Sequence, residues 1–360
     1  MVVISAIDNK LFVSKEQFED TYYPYYKFNN CGNLDTIEVE SGHPHLYSAN
    51  NCLIYRKGLI MTLGCRNSEF SAYILAIEYP AFNKCKGLND IALSDSVERI
   101  GYSSFAGSDL KSIKLSKNLI NIERDAFRDC TSLANIEFSP YIEKIGDNAF
   151  YGCSNILKID LPDSIQKIGP NAFGNCSNLE DVHLPNALKK IPTGLFQGCT
   201  NLKKVNIPDK IEFMSAHSFE NCSSLEAIKL SKNNDKIRSA TFFGCSKLKF
   251  IEIPFGTKEI QSRAFRGCYS LNTIYIPSSV NKIATDAFEW VKYSSKTDYS
   301  LTIYSAAGSY AEMFAKRNGY DFVAIPEDNA YPLICPECET EIVLNANYCH
   351  NCGKKIKTLK

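Results

Sequence analysis

The chain has 360 residues, with 40 Lys and Arg against 40 Asp and Glu, and 44% of its residues are apolar. That balance excludes a single-sign field over the whole molecule, and with it a dedicated nucleic-acid or membrane-surface binder. No stretch approaches the ~20 apolar residues of a membrane span.

The start, Met1-Val-Val-Ile-Ser-Ala-Ile-Asp8, lacks the basic and apolar regions of a signal peptide. The expectation is a cytoplasmic protein, with a secreted or cell-surface protein as the alternative if a leader has been removed. The 15 cysteines do not follow the spacing of a small secreted disulfide scaffold.

Residues 1–27 are irregular and carry the aromatic run Tyr22-Tyr23-Pro24-Tyr25-Tyr26. They are expected to cap the open end of a repeat array, since an uncovered end exposes apolar surface. The array itself is predicted over 28–297. Phe28 and Cys31 show its frame first, and an insertion at 40–72 then holds Cys52 and Cys65. The frame resumes with Ile77, Phe82, Cys85, Leu88, Ile91 and Leu93. Phe105 follows, with Ser108 where a cysteine is due.

From Phe127 the register is strict. Phe127, Phe150, Phe173, Phe196, Phe219, Phe242, Phe265 and Phe288 recur every 23 residues, and Cys130, Cys153, Cys176, Cys199, Cys222, Cys245 and Cys268 follow three places behind the first seven. A fixed period in this range marks a solenoid. After Cys153 come Ile156, Ile159, Leu161 and Pro162. The last two apolar residues alternate as a strand does, and proline stops the strand because it cannot donate to a ladder. A second apolar pair, Ile165 and Ile168, precedes Gly169, and Asn-Ala-Phe begins a tight return expected as a turn of helix or 3₁₀. Each repeat should supply one short parallel strand, stacked ~4.8 Å from its neighbours. The recurrent cysteine reads as a small buried residue in a tight corner rather than a reactive ladder, because Ser108 replaces it once and stacked neighbours lie too far apart for a disulfide.

Ile145-Gly-Asp-Asn-Ala-Phe-Tyr-Gly-Cys-Ser-Asn-Ile156 with Ile159-Asp-Leu-Pro162 resembles the BspA-like leucine-rich repeat of bacterial and protozoan proteins. Tyr47-Ser-Ala-Asn-Asn-Cys-Leu-Ile54 with Leu63-Gly-Cys-Arg-Asn-Ser68 is similar to the element that interrupts the first repeats of such arrays, and Leu301-Thr-Ile-Tyr304 with Gly308–Gly319 resembles their closing segment. The resemblance covers about residues 28–325. It implies an α/β-type leucine-rich-repeat solenoid, a right-handed curved array. It also implies protein–protein interaction, and adhesion to host surfaces in secreted members.

The closing segment, 298–325, is expected as strand–helix–strand. Ser309 can cap a helix, Glu312 and Lys316 form an i,i+4 pair, and Gly319 is placed as the stop. Residues 326–334 read as a linker. Within 335–356, Cys335-Pro-Glu-Cys338 and Cys349-His-Asn-Cys352 present four thiolates, matching one structural tetrahedral zinc ion. The segment resembles a zinc ribbon, and its closed shell leaves no position for metal catalysis. The tail lysines Lys354, Lys355, Lys357 and Lys360 offer a third reading, association with nucleic acid through the ribbon, but no aromatics interleave them.

No nucleophile elbow, zinc-protease helix or phosphate loop is present in the sequence. The expectation is therefore a monomeric, non-enzymatic scaffold binding a protein partner through its strand face. Two columns should line that face. One is Lys114, Glu137, Asp160, His183, Asn206, Lys229, Glu252, Tyr275. The other is Ser112, Asn135, Lys158, Asp181, Lys204, Ala227, Phe250, Thr273. Phe250 and Tyr275 are expected as an exposed aromatic patch, with His183, Lys229 and Glu252 as further contact residues.

Overall fold

The computed structural model describes residues 9–14, 34–70, 73–289 and 301–326, together with the strands Leu333–Ile334 and Glu341–Ile342. Phe28, Cys31 and most of the expected N-terminal cap lie outside the described residues. Among the described residues the fold is a β-solenoid of about 12 turns, divided between two compact units, Met1–Ser177 and Asn178–Lys360. The only α-helix among the described residues is α1, Tyr310–Asn318. The expected α/β architecture is thus corrected. Each regular coil supplies two strands rather than one, and its return is not helical.

In the first unit, Lys10–Val13 pairs parallel with Thr36–Val39. The 40–72 insertion is an antiparallel meander of Leu46–Ala49, Cys52–Tyr55 and Ile60–Gly64. Asn50 and Asn51 join its first two strands, both with positive φ (49° and 59°), as a two-residue hairpin turn demands. Ile60–Gly64 then pairs parallel with Ala76–Ile77, so the meander hands over to the solenoid ladder. That ladder runs through Arg99–Ile100, Asn121–Ile122, Lys144–Ile145 and Lys167–Ile168 with the isoleucines in register. A second ladder joins Asp90–Ala92, Ser112–Lys114 and Asn135–Glu137.

The return segment explains the motif. Ala149 N–H bonds Gly146 O, Tyr151 N–H bonds Asn148 O and Cys153 N–H bonds Phe150 O, giving successive tight turns. The alternate amides point outward to the next coil: Asn148 to Pro170 O, Phe150 to Ala172 O and Gly152 to Gly174 O, at 2.8–2.9 Å. This arrangement needs a left-handed residue just before Ala-Phe and another just before Cys. Asn148 (52°) and Gly152 (75°) fill those places, as do Asp125 and Asp129, or Asn171 and Asn175. Asn, Asp and Gly tolerate that region best, which is why they recur there. The alternation of hand prevents the helical turn expected from sequence.

Phenylalanine and cysteine fill the corner between ladders. In the first unit Phe82, Phe105, Phe127, Phe150 and Phe173 stack with centroids 5.0–5.4 Å apart. In the second, Phe196, Phe219, Phe242, Phe265 and Phe288 do so at 5.2–5.7 Å. All are fully buried, each stabilising by about 1.5–3 kcal/mol. The cysteines do more than pack. Cys153 Sγ donates to Phe127 O at 3.1 Å, and Cys176, Cys222, Cys245 and Cys268 likewise reach the phenylalanine carbonyl of the preceding coil at 3.1–3.2 Å. Burial pushes the Cys176 thiol up to about 12 and that of Cys130 up to about 11, so neither ionises near neutrality.

At the far end of the second unit, Thr302–Ser305 pairs parallel with Asp321–Ala324, and α1 packs beside them. Ser309 Oγ accepts from Glu312 N–H, and Gly319 closes the helix with φ 68°. Glu312 bridges Lys316 at 2.6 Å. Phe314 packs its ring 5.9 Å from Phe288 and covers the end of the corner stack.

Candidate partner-binding face

The strand-face columns form in part: they are interrupted at 227–229, where no strand forms, and are buried at Phe250, Thr273 and Tyr275. Ser112 lies opposite Asn135 and Lys114 opposite Glu137 in the first unit. In the second, Asp181 pairs with Lys204 and His183 with Asn206. Phe250 pairs with Thr273 and Glu252 with Tyr275. The central residues, Ile113, Val182, Ile251 and Ile274, point into the core, which sends their neighbours to the opposite face. His183, Lys204, Asn206 and Lys229 are exposed there.

The aromatic patch is corrected. Phe250 retains 1% and Tyr275 4% of its surface, so neither is the exposed anchor expected from sequence. Their closeness across adjacent strands is as read, with ring centroids 5.6 Å apart and edge-on. Tyr304, which the sequence reading missed, stacks on Tyr275 at 4.7 Å. The signal was present: Thr273-Ile-Tyr275 recurs as Thr302-Ile-Tyr304, and the two triplets pair in register. The three rings bury one another as a second aromatic cluster outside the corner stack.

Glu252 sits partly buried at the edge of this cluster. Burial lifts its carboxyl from the ordinary 4.5 to about 7, and Lys229 and Lys232 pull it back only in part. Burial likewise pushes the Tyr275 phenol up, with Tyr304 and Glu252 adding to the shift. Lys229 belongs to the expected column, yet no strand forms at 227–229.

Cys335, Cys338, Cys349 and Cys352 lie outside the described residues. Leu333–Ile334 and Glu341–Ile342 pair antiparallel, and Cys335 and Cys338 fall in the connection between them. Among the described residues no group of three His, Cys, Asp or Glu is arranged to hold a metal. No described helix is long and apolar enough to cross a membrane.

Six copies of the BspA type leucine-rich repeat region match residues 54–180 and 166–294, more than half of the chain. The chain belongs to this family. Among solved structures, a leucine-rich repeat protein from Bacteroides ovatus is 28% identical, with a TM-score of 0.57 over 64% of this chain and 59% of that one. The chain therefore spans less than two thirds of that relative. A T. pallidum leucine-rich repeat protein is 36% identical over 42% of this chain and 72% of its own, with a TM-score of 0.41. A leucine-rich cell surface protein from Faecalibacterium prausnitzii is 18% identical over 75% and 97%, with a TM-score of 0.36. The last two superpose too loosely to bear on function. Comparison with curated proteins yields no match.

Proposed function

We propose that this BspA-type repeat protein is a non-enzymatic scaffold that captures a protein partner on its strand face. The observation carrying this reading is internal to the chain. The corner positions repeat as Phe and Cys from coil to coil, whereas the face columns change at nearly every step, from His183 to Asn206 to Lys229 to Glu252. A constant core under a varying face is how a solenoid presents a recognition surface. His183, Lys204, Asn206 and Lys229 are exposed members in the second unit, with Glu252 partly accessible.

The C-terminal segment is proposed as a structural zinc module. Four thiolates in two Cys-x-x-Cys pairs suit tetrahedral zinc. Cys335, Cys338, Cys349 and Cys352 would hold the ion, which supplies folding energy to the module. Thiolate ligands persist in a reducing compartment, which favours a cytoplasmic location.

Affinity capture from the native cell tests the scaffold. Wild type and a His183→Ala, Lys204→Glu, Lys229→Glu variant are compared by mass spectrometry of what they retain. Loss of the same protein from the variant supports the face. Recovery of an unchanged set of proteins by a folded variant rejects it.

A further inference from the structure

The second unit contains a coil that does not follow its neighbours. The strand-face ladder stops after Lys204–Asn206 and restarts at Phe250–Glu252, with no strand at 227–229 between them. The other ladder breaks at the same coil: Lys190–Ile191 pairs with Phe213–Met214, and a separate sheet begins at Lys236–Ile237. Elsewhere in the unit, successive coils are tied there by backbone bonds such as Glu212 N–H to Lys189 O, Ser215 N–H to Ile191 O, Lys258 N–H to Asp235 O and Gln261 N–H to Ile237 O. The corresponding bonds from Asp235 to Glu212 and from Arg238 to Met214 do not form.

A single side chain accounts for much of the break. The frame position held by Leu188, Ile211 and Val280 is Asn234 in this coil, buried at 1% exposure, and Thr257 in the next, where the hydroxyl is satisfied by Asn234 O and the ladder still forms. Asn234 Oδ1 accepts from Met214 N–H at 3.2 Å, intercepting an amide where the next strand would pair. Its Nδ2 and the nearby-coil Ser218 Oγ are buried with no hydrogen-bond partner. Burying an unpaired polar group is costly, so the defect is energetic as well as geometric.

Of the backbone ladders, only the corner ties the two coils there; side chains add Ser231 Oγ to Asp209 O and Ile211 O and Asn233 Nδ2 to Asp209 O, ties of a kind also made at other junctions, such as Ser139 Oγ to Lys117 O. His217 N–H reaches Ser239 O, Phe219 N–H reaches Thr241 O and Asn221 N–H reaches Phe243 O. That corner is itself strained. The left-handed places filled by Asn, Asp, Ser or Gly in the earlier corners fall to His217 (61°) and Ala240 (52°) on the two sides of the seam, residues that take this conformation poorly.

We propose that these features form a built-in seam at which the second unit opens locally, well before it unfolds as a whole. Local conflict with the fold marks the low-stability end of a structure. The seam lies at the coil that carries Lys229, next to the one carrying Glu252, so opening changes the surface presented by the proposed binding face. The inference goes beyond the binding reading and stands without it.

Hydrogen exchange of the full chain, read by mass spectrometry with residue-level fragmentation, tests the seam. The amides of His217, Phe219 and Asn221 bond the same way as those of Phe242, Gly244 and Phe265 in later corners. The seam set is expected to exchange about tenfold faster or more, from its missing ladder bonds. Asn234→Ile, which restores the apolar frame residue, should slow the seam amides and leave the reference set unchanged. Ala240→Gly is the second variant, should the first fail to fold. It relieves one left-handed residue and should slow the seam about fivefold. A wild-type difference below threefold, or seam amides that exchange at an unaltered rate in a folded variant, overturns the proposal.

Discussion

Replacing Glu252 by glutamine separates a buried charge from a buried shape. The carboxyl titrates near 7 in the folded protein against an ordinary value of 4.5. Below 4.5 it is protonated in both states and costs nothing. Above 4.5 the unfolded chain ionises freely while the folded one holds its proton until about 7, so stability is lost progressively across that interval and stays lost at higher pH. At 1.36 kcal/mol per pH unit, the interval from 4.5 to about 7 sets a ceiling of about 3.4 kcal/mol. Water reaches the partly buried group, so the working value is about 1–3 kcal/mol. Glu252→Gln keeps the volume and removes the charge. It should therefore be stabilising by that amount at pH 8 and close to neutral at pH 4.5. Urea unfolding of the full chain at the two pH values, followed by tryptophan and tyrosine fluorescence, reads the difference. An equal effect of the substitution at both pH values would refute the reasoning, because a purely steric change has no reason to follow the proton.

Three further outcomes follow from the geometry. Phe250→Ser and Tyr275→Ser should destabilise the second unit by about 3–5 kcal/mol each, rather than leave folding intact as exposed contacts would, and thermal unfolding distinguishes the two. Gly169→Ala should be strongly destabilising, since a Cβ there overlaps the backbone of Asp147 and Gly146 in the preceding coil; an unchanged melting temperature would contradict that close approach. Elemental analysis should find about one zinc per chain, lost in the Cys335→Ser, Cys349→Ser double substitution, and a metal-free native protein would remove the zinc module.

The period of Phe and Cys made the stacking axis and, outside 227–229, the register of the face strands legible in the sequence, because parallel in-register coils convert a sequence interval directly into a spatial neighbour. Three things were hidden. The helical return was a misreading because Asn148 and Gly152 look like generic turn residues until their positive φ values show two opposite hands in one short segment. The burial of Phe250 was hidden because alternation along a strand tells which face a side chain takes and not whether that face is solvated. The seam was partly visible, since Asn234 stands where the frame calls for an aliphatic residue, yet its effect on both ladders depends on a side-chain bond to Met214 that no pattern encodes.

The thiol bond to the preceding phenylalanine carbonyl has a consequence for how such a chain changes length. Each Phe127-type carbonyl receives two donors, the Cys130 amide of its own coil and the Cys153 thiol of the next. The same pair of residues writes the corner of the junctions closed by Cys130, Cys153, Cys176, Cys222, Cys245 and Cys268. Gene duplication or loss of a whole 23-residue block among these coils rejoins one such carbonyl to one such thiol and leaves the corner bonds of the neighbouring coils as they were. Copy number is thus free to drift within the array, while the two ends, built from the meander and the α1 segment, must be inherited intact.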